Sequence, residues 1–137
     1  MVKYTFAMIK PDAVERNLVG YIISSIETIG QIVDLKMMKL DKETAREFYK
    51  EHKDRGFFNE MINDITVSSV VLICIKGDED IVDNLRNLMG DTNPEEAKLG
   101  TIRKAVGVNI GRNSIHGSDS NTSADRELGI FFPNLKK

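Results

Sequence analysis

A neutral imidazole can attack a transferable group and release it again near neutral pH, and this chain carries two, His52 and His116. His116 stands in GRNSIHGSDS, residues 111–120, among glycine, serine, asparagine and aspartate that allow close backbone approach and offer hydrogen bonds. Residue types alone leave it either a nucleophile or an ordinary loop histidine. His52 falls within a segment of helical pattern, where packing or surface exposure is the simpler expectation. His116, Asp119 and Asp125 are near neighbours in sequence, but with two histidines and one remote cysteine, Cys74, no zinc-ligand spacing exists. A hard cation such as Mg²⁺, carried mainly by a ligand's phosphates, fits the residues better.

The cations recur beside turn-forming residues: Lys10 before Pro11, Arg55 before Gly56, Arg86 near Gly90, Arg103 after Gly100, and Arg112 after Gly111. Singly, each reads as a solvated surface charge. Together they could meet a polyphosphate of about four negative charges, with arginine forks pairing to its oxygens. The chain has neither GxxxxGK[ST] nor GxGxxG, so phosphate would be bound by side chains rather than by a glycine-rich loop.

These residues need a scaffold. Residues 2–9 and 68–76 read as strands, the second an almost continuous apolar run that belongs in the middle of a sheet. Residues 32–40, bounded by Gly30 and Asp41, read as a third strand. Residues 18–29 carry Ile22, Ile26 and Ile29 at helical spacing behind a cap at Asn17. Asp41 and Asp78 stand where N-caps would open helices over 42–53 and 79–89, the latter closed by Gly90. Thr122 and Asp125 resemble a capping box for a short helix that Gly129 would end before residues 130–132. Phe48, Leu85 and Met89 on these stripes, and Cys74 in its apolar run, read as core. Strand, helix, strand, helix, strand, helix, with a short fourth strand near residues 115–118, suggests an α+β split βαβ arrangement. Residues 90–119 form a polar, glycine-rich region of a length that usually serves function.

With 137 residues, 41% hydrophobic and 29% charged, the chain reads as one domain spanning residues 1–137. No apolar run reaches the ~20 residues of a membrane span, and no secretory or transit signal opens the chain, so a cytoplasmic location is expected. A net charge of -2 and a pI of about 5.7, with 7% aromatic residues, offer nucleic acid neither a basic field nor a stacking face.

The segments IKPDAV (9–14), Phe48-Tyr49 followed by DRGFF (54–58), MGDTNP (89–94), GTIR (100–103) and GRNSIHGSDS occur in the order of one family. The chain closely resembles the nucleoside diphosphate kinases from Thr5 to about Phe132. The resemblance implies a ferredoxin-like sandwich with a four-stranded antiparallel sheet. It also implies ping-pong transfer from a nucleoside triphosphate to a diphosphate through a phosphohistidine. Carried over by position, His116 is the nucleophile, oriented by Glu127 with help from Ser118. Lys10 and Tyr49 hold the transferred phosphate, and Lys10 also reaches the sugar hydroxyl. Arg86, Thr92 and Arg103 take the polyphosphate, His52 lies near the α-phosphate, and Asn113 meets the ribose. Phe57 and Ile110 flank the base, while Mg²⁺ bridges phosphates near Asp119 through water. A homo-oligomer is implied, a hexamer in preference to a tetramer.

Gly56 and Leu99 replace prolines usual in the family, Ser69 replaces a glycine, and the chain ends soon after Phe132. None of these departures touches the chemistry; the first and the last are expected to weaken subunit contacts. A non-catalytic nucleotide sensor or protein-binding module on the same fold is the main rival, opposed by the complete set of reactive residues.

Overall fold

The β-branched and apolar segments become strands of one sheet. In the computed structural model, which describes residues 2–135, β1 (Lys3–Ile9) leads through α1 (Pro11–Glu15) and α2 (Val19–Ile26) to β2 (Gln31–Met38). Then come α3 (Lys42–Phe48), a 3₁₀ turn (Lys50–His52), α4 (Phe58–Thr66), β3 (Val70–Gly77), α5 (Ile81–Met89), α6 (Ile102–Val106), β4 (Ile115–Gly117) and α7 (Asn121–Phe131). The sheet order is β2-β3-β1-β4, antiparallel throughout. This is the ferredoxin-like α+β arrangement, and the apolar run of β3 does occupy a central position.

Alternation along the inner strands sends side chains to two cores. Phe6, Met8, Val70, Leu72 and Cys74 pack under α3, α4 and α7, meeting Phe48, Ile62, Ile65, Leu128 and Phe131. On the other face Ala7, Ile9, Val71, Ile73 and Ile75 meet Ile22 and Ile26 of α2 and Ile81, Leu85 and Met89 of α5. Complete burial of each large apolar side chain contributes roughly 1.5–3 kcal/mol. Because the inner strands are buried on both faces, β1 and β3 form a rigid floor. β4 joins that floor with Met8 opposite His116.

Helix boundaries differ from the sequence expectations for local reasons. Asn17 does not cap α2; it turns the chain between α1 and α2 at φ 62°, a conformation asparagine tolerates, and Leu18 holds the cap position. Ile29 lies beyond the end of α2. Asp41 does cap α3, accepting from the Thr44 N–H at 2.7 Å, but the helix breaks at Tyr49 into the 3₁₀ turn. α5 opens at Ile81, later than its sequence pattern suggests, because Asp78 accepts from the Asp80 N–H at 2.9 Å in a turn and leaves Asp80 at the cap position. Ser120 caps α7 through the Ser123 N–H at 3.0 Å, not Thr122. Gly129 does not end α7, because Leu128 and Phe131 on either side of it are buried in the core. Helices α1, α4 and α6 are additional, and α6 with β4 gives regular structure to part of the 90–119 region. Thr101 caps α6 by accepting from the Lys104 N–H.

Two glycines make opposite demands. Gly90 ends α5 at φ +88°, and a Cβ there would lie 2.6 Å from Thr101 Oγ1, whereas at Gly56 φ is outside the left-handed region and a Cβ would meet nothing within 4 Å. Gly90→Ala is expected to destabilise the fold by more than ~1 kcal/mol and Gly56→Ala to stabilise it by ~0.4–1 kcal/mol. Urea unfolding of both variants checks this, and shifts of the same sign would contradict it.

Candidate active site

β4 is short, but its pairing with β1 sets His116 on the same face as Met8, under the helices. The ring packs edge-on against Phe48 at 4.8 Å, with Phe6 at 6.1 Å and Tyr49 at 6.3 Å. Its Nε2 lies 2.9 Å from Glu127 Oε1 on α7, and the Ser118 hydroxyl donates to the same oxygen at 2.8 Å. Glu127 is only 5% exposed. An ionised carboxylate only accepts, so Nε2 carries the proton and donates it, leaving the lone pair on Nδ1. Arg126, also on α7, lines the site beside Glu127. Its guanidinium donates to the Glu47 and Phe48 carbonyls at the end of α3, at 3.1 and 2.9 Å, and lies 3.9 Å from Glu127 Oε2.

In front of His116 opens a cleft of about 650 Å³. Every residue singled out through the resemblance lines it except Ser118, which stands behind Glu127. Lys10 is buried at the end of β1, and its Nζ donates to Gly111 O and Asn113 Oδ1, both at 3.1 Å. Burial lowers its pKa, with the Asp12 carboxylate opposing. Arg103 of α6 donates to Gly90 O at 3.0 Å and Ile115 O at 2.7 Å, while its Nε is buried without a hydrogen-bond partner. Desolvation, and then repulsion from Arg86, pull its pKa down to about 10, so it remains a cation at neutral pH. Arg86 on α5 reaches Gly117 O at 3.4 Å. The Tyr49 phenol is pushed well above its ordinary pKa by burial, then by Glu127, and stays a neutral donor. The Asp119 carboxyl is lowered by a hydrogen bond from Ser123, with Arg86 also favouring its charge. Cations and donors thus surround a histidine with one free nitrogen, an arrangement able to hold a phosphoryl group for transfer.

The outer end of the cleft is more apolar. Phe57 and Ile110 are 47% and 59% exposed, and the Arg55 guanidinium lies 5.7 Å over the Phe57 ring. The Asn113 amide donates to Thr92 O at 3.1 Å, tying the approach to β4 to the loop after α5. His52 is not a mere packing residue of a helix. It sits on the 3₁₀ turn, lines the cleft and has a buried Nδ1 without a hydrogen-bond partner.

Sequence reasoning missed three contributors. Phe48 is core, as expected, yet its ring also forms one wall of the His116 site. Arg126 carries no motif, and only its adjacency to Glu127 signals it. Asp64 lines the cleft from α4, with its carboxyl raised by burial and opposed by Lys10. The apolar spacing of Ile62 and Ile65 was the signal that could have revealed α4 and this residue.

The family model described as nucleoside diphosphate kinase matches residues 3–136. A nucleoside diphosphate kinase of Rickettsia canadensis is 52% identical over 132 residues, covering 96% of this chain and 94% of the relative. One from Desulforamulus reducens is 51% identical over 129 residues, covering 93% and 86%. Among solved structures, the Aquifex aeolicus nucleoside diphosphate kinase superposes with a TM-score of 0.94 at 36% identity, covering 98% of each chain. That of Encephalitozoon cuniculi gives 0.90 at 36% identity, covering 95% of this chain and 88% of that one. A match over nearly the whole chain, on the same fold, assigns this chain to the nucleoside diphosphate kinase family of phosphotransferases.

Proposed function

We propose that His116 Nδ1 carries the phosphate between nucleotides, and that the whole chain acts as one kinase domain. The observation that carries this reading is the 2.9 Å contact between Nε2 and Glu127, which leaves Nδ1 as the nucleophile. The Nδ1 lone pair attacks the γ-phosphorus of a nucleoside triphosphate, forming a P–N bond as the bond to the bridging oxygen breaks, and the nucleoside diphosphate leaves. A second diphosphate reverses the step: its terminal oxygen attacks phosphorus, and the P–N electrons return to Nδ1. A loose transition state spreads charge over the transferred group, so fixed cations and in-line placement supply most of the acceleration. Lys10, Tyr49, Arg86 and Arg103 supply charge and donors, Thr92 and His52 complete the phosphate subsite, and Asn113 with Lys10 meets the sugar. Glu127 and Ser118 orient the ring.

The same site suits Mg²⁺. Asp119 is kept ionised by Ser123, and among the described residues no group of three His, Cys, Asp or Glu could hold a metal. Such a donor set fits a cation carried chiefly by nucleotide phosphates, which Asp119 would reach through water. When bound, that ion would neutralise polyphosphate charge.

Assembly and location complete the proposal. β2 is an edge strand that leaves Leu35 and Met37 exposed on one face, opposite Ile73 and Val71, and Met38 exposed on the other, apolar side chains that need cover. This supports a homo-oligomer, a hexamer with a tetramer as the alternative. Among the described residues no helix is long and apolar enough to cross a membrane. We place the enzyme in the cytoplasm with its nucleotide substrates, and assign it no nucleic-acid partner.

His116→Ala is expected to abolish turnover and protein labelling from ATP while the fold persists. The wild-type label should be acid-labile and base-stable, as a phosphoramidate is. An acid-stable label, or turnover surviving the substitution, would reassign the nucleophile.

Because stacking on Phe57 uses the face every base shares, ADP, GDP and CDP should be accepted within a narrow range. Loss of a stack worth roughly 1–3 kcal/mol should make Phe57→Ala weaken nucleotide binding by about tenfold or more for each base. A kcat/KM preference above about a thousandfold among the bases, about 4 kcal/mol, would contradict base-blind stacking. Light scattering tests assembly: a stable monomer at micromolar concentration would contradict the oligomer.

A further inference from the structure

Ser114 adopts φ 78° and is completely buried, two residues before His116 and directly after Asn113. Serine rarely takes this conformation unless its surroundings impose it, and such residues cluster where geometry matters to function. What imposes it here is α1. The Ser114 hydroxyl donates to Asp12 Oδ2 at 3.0 Å and accepts from Arg16 Nη2 at 3.0 Å. The same Arg16 nitrogen donates to Val106 O at 2.6 Å and lies 3.3 Å from Asp12 Oδ2, while its Nε donates to Asp12 O at 3.1 Å. The backbone repeats the tie, since the Lys10 N–H donates to Ser114 O at 2.9 Å. An ordinary i,i+4 pair on a helix surface contributes little. This one reaches instead to a carbonyl 90 residues away and to a buried, left-handed serine.

The consequence falls on the neighbours. Lys10 immediately precedes α1, Asn113 immediately precedes Ser114, and the Lys10 ammonium donates to the Asn113 side chain at 3.1 Å. Both residues are therefore set by how α1 grips the turn. We propose that Asp12, Arg16 and Ser114 form a positioning clamp, outside the nucleotide's reach, that sets Lys10 and Asn113 against the sugar hydroxyls of the bound nucleotide. This rests on the reading that those two residues meet the sugar. The clamp makes no contact with the reacting atoms. It acts by placement, and misplacement of the order of 1 Å costs up to about a hundredfold in rate.

The test is a mutant cycle read with two substrates. Arg16→Ala, Asn113→Ala and the double variant are assayed for kcat/KM with a ribonucleoside diphosphate and with its 2′,3′-dideoxy analogue, alongside melting temperatures. The clamp predicts a loss of about tenfold for Arg16→Ala with the ribonucleotide, little further loss with the dideoxy analogue, and a double variant hardly worse than Asn113→Ala alone. Arg16→Lys, which keeps the charge but not the fork, should recover only part. If Arg16→Ala fails to fold, Ser114→Ala, which removes one oxygen, replaces it in the same cycle. Equal losses with both substrates, multiplying losses in the double variant, or wild-type activity in a folded clamp variant would overturn the clamp. An inert Asn113→Ala would instead overturn the sugar reading beneath it.

Discussion

A carboxylate in a protein interior costs several kcal/mol in lost hydration unless partners replace the water, and Glu127 is nearly buried beside the His116 ring. Its Oε1 takes the Ser118 hydroxyl and His116 Nε2, and its Oε2 faces the Arg126 guanidinium. Much of the architecture serves that one group. α7 must dock with Glu127 inward, which Leu128 and Phe131 secure from the core and Ser120 secures at the cap. α3 must end where its last carbonyls meet Arg126, which in turn sets Phe48 and Tyr49 against the imidazole. β4 must hold the register that puts His116 opposite Met8.

The cations facing the same histidine are desolvated too. Lys10 and Arg103 are buried, and burial shifts both toward their neutral forms. Backbone carbonyls of Gly90, Gly111 and Ile115 fix their directions without neutralising their charge. A site that keeps positive charge against a desolvation cost is arranged for an anion that arrives with the ligand. The same restraint explains Tyr49, which burial keeps as a neutral donor beside the negative Glu127.

The sheet and its central strand were legible because β3 is a continuous apolar run and β1 alternates between two cores. α1 and α6, at five residues each, are shorter than the periodicity that reveals helices. Gly129 misled because tertiary burial of Leu128 and Phe131 outweighs one glycine's propensity. The site itself was legible through motifs and not through spacing. Lys10 and Asn113, which touch, are 103 residues apart in sequence, so no local pattern joins them. His52 shows the limit of residue type alone, since only the fold carries it to the cleft. Arg126 and Asp64 stayed hidden because charged residues on a helix ordinarily face solvent.

If Glu127 selects which imidazole nitrogen does the chemistry, the phosphate must reside on the other one. ³¹P–¹⁵N correlation by NMR on the phosphorylated, ¹⁵N-histidine-labelled enzyme reads this directly. Phosphorus should be bonded to Nδ1 of His116, with Nε2 still protonated and held by Glu127. Phosphorus on Nε2, or on His52, would contradict it.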